Sequence, residues 1–212
     1  MRIGIVCYPT YGGSGVIATE LGLALAKKGH QIHFITYKRP ARLIHFHENV
    51  YFHEVSGADY PLFEYAPYET SLASKMVDVI KYEKLDILHV HYAIPHAAVA
   101  YMARQILKSH GIIIPVVTTL HGTDITLVGA DKTFAPVVEF SINNSDGTTA
   151  VSKMLKDETE KMFNIDDPIE VIYNFIDFER FRKVDKDHFR MALAPDGEKV
   201  LIHVSNFRKV KR

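Results

Sequence analysis

The run His121-Gly122-Thr123-Asp124 joins residue types that handle hydroxylated ligands. A neutral imidazole can bond a sugar hydroxyl, and the nearby carboxylate of Asp124 can hold the ring's tautomer or cap its loop. Gly122 permits an unusual backbone angle just after a strand, so His121 and Thr123 can project into a cleft. The plainer alternative is a satisfied core histidine. His89-Val90-His91 sets two imidazoles on one side of a strand, because side chains alternate. No third His, Cys or Asp stands nearby at ligand spacing, so no metal is expected. His89 reads as core, whereas His91 and Tyr92 are expected at the rim, Tyr92 offering its hydroxyl to an acceptor or simply packing. His45, His47, His53, His96 and His188 read as surface or loop residues without a role.

A second chemical feature is Pro9-Thr10-Tyr11-Gly12-Gly13-Ser14-Gly15, between a strand at Arg2–Tyr8 and a helix at Val16–Lys28. Glycines let backbone approach a ligand, and first-turn N–H groups have no partner within their helix, which together make an anion site. An ordinary tight turn is the bland reading. Gly13-x-Gly15-x-x-Ala18 also fits a dinucleotide fingerprint, which makes a nucleotide-dependent oxidoreductase the competing enzyme. Against it, Pro9 to Gly12 separate strand from motif, and the second strand ends in Thr36-Tyr37-Lys38-Arg39 without an acidic residue for a ribose. The basic residues there would suit a 2′-phosphate.

The elements that must position these residues alternate. Strands are expected at 31–36, 50–55, 85–91, 115–121, 147–151 and 169–173, and helices at 70–83, 96–108, 134–144 and 153–162. Ile17, Leu21, Ala24 and Leu25 share one face of the first helix; Leu72, Met76, Val79 and Ile80 keep helical period in the next. Ser152 is suited to cap the helix at 153–162. This alternation implies an α/β protein with a Rossmann-like, doubly wound parallel sheet, in which ligands sit outside the carboxyl ends of the strands. That rule gathers Tyr11–Gly15, His91-Tyr92, His121–Asp124, Ser152 and Asn174 along one rim. Residues 177–198 read as charged and helical, and Lys199–Val204 as a fresh strand opening a further domain. Arg208 and Lys211, beyond it, would suit a diphosphate. Lys38 and Arg42 are loosely placed candidates for a carboxylate.

The 212 residues are 47% apolar with zero formal net charge, which excludes a basic nucleic-acid footprint. The single cysteine, Cys7, lies in an apolar strand and reads as inert core. No apolar run approaches membrane-spanning length and no signal peptide is recognised, so a cytoplasmic protein is expected. The oligomeric state stays open, a homodimer among the options.

The Gly-Gly-x-Gly loop, His-x-His-Tyr at 89–92, His-Gly-Thr-Asp at 121–124, Ser152 opening a helix after Thr149-Ala150-Val151, and the run Val171–Phe181 together resemble the retaining, nucleotide-sugar-dependent family-4 glycosyltransferases. Val171–Phe181 is the most specific part; it looks like the family's interdomain segment, with Phe175 where glycine is usual. The resemblance spans residues 1–212 and implies a GT-B arrangement, two Rossmann-like domains facing a cleft. It divides the chain into an acceptor domain at 1–175, an interdomain segment at 176–198 and the start of a donor domain at 199–212. It also implies that Gly13, with Gly12, Ser14 and Gly15, lies against the donor diphosphate. His121 would bond the transferred sugar as the catalytic residue, with Tyr92 and Thr123 facing the acceptor. Lys211 matches the diphosphate-contacting lysine; Asn206 stands nearest the family's arginine, with Arg208 as alternative. The family's pair of glutamates is missing, which implies that this chain does not turn over alone.

Cys7–Val16 and Ser205–Arg208 most resemble the branch of that family in bacillithiol biosynthesis. That likeness implies UDP-N-acetylglucosamine as donor and L-malate as acceptor, with retention and with no cofactor or metal. Charge on the leaving UDP would be met by helix N–H groups and a lysine. A non-catalytic sugar- or carboxylate-binding module is the alternative from another class.

Overall fold

Apolar and β-branched runs line up as parallel strands covered by helices on both faces. A computed structural model of the chain describes residues 1–57 and 67–204. Arg2–Val6 (β1), Gln31–Thr36 (β2), Val50–Glu54 (β3), Ile87–His91 (β4), Val116–Leu120 (β5), Gly147–Ala150 (β6) and Glu170–Val171 (β7) form one sheet. Their order is β3-β2-β1-β4-β5-β6-β7, every neighbouring pair parallel. The helices are Gly13–Lys27 (α1), Tyr68–Glu83 (α2), Ala98–Ser109 (α3), Ala135–Asn143 (α4), Lys153–Met162 (α5) and Asp187–Leu193 (α6).

Among the described residues the core falls into three clusters. One joins Leu120 and Ala150 to Val138 and Ile142 of α4 and Leu155 of α5, and alternation along the strands separates the other two. Ile3, Ile5, Ile32 and Phe34 pack with Ala18 and Ala26 of α1, while Val6, Ile35, Leu88 and Val90 pack with α2 and α3. Leu72, Met76, Val79 and Ile80 are buried on α2 as their period requires. The face of α1 differs from expectation. Its buried residues are Gly15, Ala18, Thr19, Gly22 and Ala26, whereas Ile17, Leu21, Ala24 and Leu25 are half-buried. Small residues win because the helix lies close on the sheet: a Cβ on Gly22 would come within 2.5 Å of the Phe34 ring.

The chain divides into two compact units, Met1–Asn174 and Phe175–Arg212. Within the second, Asp177 accepts the backbone N–H groups of Glu179 and Arg180, and α6 is its helix among the described residues. Lys199–Val204, expected as a strand, carries no ladder there. β-Propensity sets a preference, but a strand forms only against a pairing neighbour. No described helix is long and apolar enough to cross a membrane.

The strand order reverses between β1 and β4. Connections leave these two neighbours in opposite directions, so the crevice at their carboxyl ends is where an open α/β sheet receives ligands.

Candidate functional site

Three loops meet at that end, those after β1, β4 and β5. After β1, the chain passes Tyr8 and reaches Gly12, the N-cap of α1, so Gly13, Ser14 and Gly15 form the helix's first turn rather than a loop ahead of it. The capping residue supplies no side-chain hydrogen bond, and no described group accepts from the N–H groups of Gly13, Ser14 or Gly15. Unpaired N–H groups and the helix dipole make this turn a place for negative charge. Gly15 has no room for a side chain, since a Cβ would lie 2.3 Å from the Tyr8 carbonyl oxygen. Gly13 is the opposite case: nothing lies within 4 Å of where its Cβ would be.

β4 ends at His91, and Tyr92 turns the chain with φ 85°, a left-handed angle that non-glycine residues rarely adopt. Its ring packs edge-on to Tyr8 with centroids 5.3 Å apart and lies 5.2 Å from the ring of His121 at the end of β5. Tyr8, Tyr92 and His121 thus bridge β1, β4 and β5 along one edge. Gly122, at φ 107°, turns the chain after His121. Thr123 follows exposed, opening the turn Thr123–Val128.

Asp124 holds this arrangement from beneath. It is 1% exposed, and its carboxylate accepts the backbone N–H groups of His121 (3.2 Å), Gly122 (2.9 Å) and Ala93 (3.1 Å). Of its two expected roles, it therefore caps the loop and does not touch the imidazole. It also ties the loop after β5 to the one after β4. Burial raises its pKa, opposed by those N–H groups.

The imidazole of His121 is held instead by His91, whose Nδ1 lies 2.8 Å from His121 Nε2. His91 is 1% exposed, so it is a buried support and not the rim residue expected. His89 stacks on His91 and bonds Thr119 at 2.7 Å, so its ring is satisfied as expected, though the residue is half-buried and not fully in the core. His96, expected at the surface, is fully buried; its Nδ1 meets the His91 carbonyl oxygen at 2.5 Å and its ring packs on Tyr8. Isolated histidines signal little in a sequence, but His89 and His91 at same-face spacing with His121 one strand over could have suggested the cluster. Burial, then neighbouring imidazoles, lowers the pKa of His121 to about 4 and that of His91 well below its usual value. All these rings are neutral near pH 7.

His53, another residue expected to be superficial, is half-buried and bonds His33 across β2 and β3 at 2.9 Å. With Glu83 these are the group that could hold a metal ion among the described residues. Their rings are nearly parallel, 18° apart, with centroids separated by 5.2 Å. At that separation the two nitrogens face each other along the line between the rings. This is the geometry of an N–H···N hydrogen bond, not of two lone pairs converging on a third point.

Other expected residues fall outside this cluster. Arg42 is paired with Glu20 at 3.2 Å and so is not an unengaged carboxylate binder. Lys38 is exposed beyond β2. Ser152 caps α5, accepting the Leu155 N–H at 3.2 Å. Cys7 is buried and its thiol is pushed up to about 12, consistent with inert core. Asn206, Arg208 and Lys211 lie outside the described residues. Beside Tyr8 opens a hollow of about 500 Å³ lined by Ile94, Pro95, Met102, Phe134, Val137 and Glu69 among others. It is chiefly apolar, and includes neither Gly13 nor His121.

Comparison with known proteins decides between the two enzyme classes. The family model described as Glycosyltransferase Family 4 matches residues 11–180. The chain belongs to glycosyltransferase family 4. The dinucleotide reading of Gly13-x-Gly15 therefore falls, and Gly15 is explained by its contact with the Tyr8 carbonyl. Over its whole length the chain is 51% identical to N-acetyl-alpha-D-glucosaminyl L-malate synthase of Bacillus anthracis, covering 55% of that protein. Among solved structures, sucrose-phosphate synthase from Thermosynechococcus elongatus matches with TM-score 0.68 at 15% identity, over 91% of this chain and 52% of that one. Anabaena HepE, solved with UDP-glucose, matches with TM-score 0.68 at 17% identity, over 93% of this chain and 50% of that one. These likenesses show the fold, one Rossmann-like half of a GT-B glycosyltransferase. The family-4 chain spans about half the length of the relatives it matches.

Proposed function

We propose that this family-4 chain is the acceptor-side part of an enzyme that transfers N-acetylglucosamine from UDP-N-acetylglucosamine to L-malate. The carrying observation is its 51% identity, end to end, with a protein of that stated activity. The geometry supports the reading. The open first turn of α1 offers N–H groups to a diphosphate, while neutral His121 beside Tyr92 suits uncharged hydroxyl groups.

In this reading Gly13 lies against the diphosphate, His121 bonds the transferred sugar, and Tyr92 and Thr123 face the acceptor. Asn206, Arg208 and Lys211 supply polar and cationic contacts to the diphosphate. Transfer goes with retention and needs no metal: developing charge on UDP is met by N–H dipoles and a lysine, and the leaving phosphate takes the acceptor's proton. This chain alone binds but does not turn over.

The test is UDP release by the complete polypeptide from UDP-N-acetylglucosamine with a panel of hydroxy acids. L-Malate is expected to give the highest rate. Equal rates with unrelated alcohols would overturn the acceptor assignment.

A further inference from the structure

Two buried nitrogens fix how His121 presents itself. His91 Nε2 is sealed from solvent and has no hydrogen-bond partner among the described residues. His91 Nδ1 faces His121 Nε2 at 2.8 Å, and the ring centroids are 5.1 Å apart, so the two nitrogens point at one another. A neutral imidazole carries one N–H. If His91 carried it on Nε2, a buried donor would be left without an acceptor; on Nδ1, it donates to His121 and only a lone pair goes unmatched. Orphaned buried N–H groups are rarer than under-used acceptors, so the second arrangement wins.

We infer that His91 is a positioning residue that donates from Nδ1 to His121 Nε2 and thereby leaves His121 with its proton on Nδ1, as a hydrogen-bond donor and not a base. His121 is half-buried, and its Nδ1 meets no described protein group and is not among the sealed nitrogens. That N–H is the ring's free polar atom at the site. The ligand it selects presents an acceptor oxygen, such as a hydroxyl oxygen of the transferred sugar. His121 Nε2, already accepting from His91, cannot take a proton from the acceptor hydroxyl without breaking that bond. Asp124, engaged with backbone N–H groups, plays no part in choosing the tautomer.

The ligand assignment rests on the proposed transfer reaction; the tautomer does not. The experiment is long-range 1H–15N correlation of the histidine side chains in the complete polypeptide near pH 7, with His121 assigned through His121→Asn. A protonated-type Nδ1 and an unprotonated-type Nε2 on His121 are expected; the reverse pattern would overturn the inference, whatever the acceptor proves to be. His91→Leu should lose that signature and lower kcat about tenfold, the order of one hydrogen bond, with KM for the donor little changed. His91→Asn, whose amide nitrogen sits where Nδ1 did, should restore both. A His91→Leu protein that keeps the Nδ1–H form and wild-type turnover would remove His91 from this role. Should His91→Leu not fold, the wild-type spectrum still decides.

Discussion

Tyr8 and Tyr92 meet edge to face, their centroids 5.3 Å apart, across the two strands where the sheet order reverses. The contact joins the end of the strand leading to the glycine turn with the loop that flanks His121. Site chemistry and fold topology therefore converge on one crevice, and each side of it can be tested separately.

The two inner glycines of the first turn should separate stability from binding. Gly15→Ala would push a methyl against the Tyr8 carbonyl, and overpacking of that kind costs about 1–3 kcal/mol or more. Gly13→Ala meets open space and should change stability by no more than about 0.5 kcal/mol. In the complete enzyme Gly13→Ala should nevertheless raise KM for the UDP-sugar at least about tenfold, a cost of about 1.4 kcal/mol. Urea melts and initial rates check both, and an unchanged KM would move the diphosphate away from this turn.

Asp124 should matter through the backbone alone. Asp124→Ala strands three backbone N–H groups, one buried and two part-buried, and should destabilise the protein by about 2–4 kcal/mol. Asp124→Asn keeps one acceptor oxygen and should lose roughly half as much. Equal losses in denaturant melts for the two variants would mean that charge, not the cap, is what counts.

Acid should loosen the site. Burial lowers His89, His96 and His121 from 6.5 to about 4. Between those values the unfolded chain binds protons that the folded one refuses. The stability these rings confer is complete above about pH 6.5 and is lost as pH falls toward 4, by at most about 1.4 kcal/mol per pH unit for each ring. Asp124, with a raised pKa, acts in the opposite sense but is one group against several. Denaturant midpoints that stay level from pH 7 to 4.5 would contradict the buried neutral cluster.

Much of this was readable in advance, and the failures have common causes. β2 and α5 run as their residues suggest, because β-branched runs and a serine cap act locally. The glycine turn and His121 fall on one edge because parallel βα units leave no other place for their loops. The buried roles of His91 and His96 were hidden: imidazoles are amphipathic, and only the tertiary fold decides whether a given ring sits in a core or at a rim. The close packing of α1 on Phe34 selected its small face over its larger one, a matter of helix–sheet distance that periodicity does not carry. Lys199–Val204 has the composition of a strand without a ladder among the described residues.

The central claim is that His121 touches the sugar during transfer. Its most direct test is the rate of UDP release by the complete polypeptide carrying His121→Ala, with UDP-N-acetylglucosamine and L-malate at saturation. A fall in kcat of about a hundredfold or more, roughly 2.7 kcal/mol of lost transition-state stabilisation, in a variant that still unfolds cooperatively in urea is predicted. A kcat within about twofold of wild type, under 0.5 kcal/mol, would contradict it.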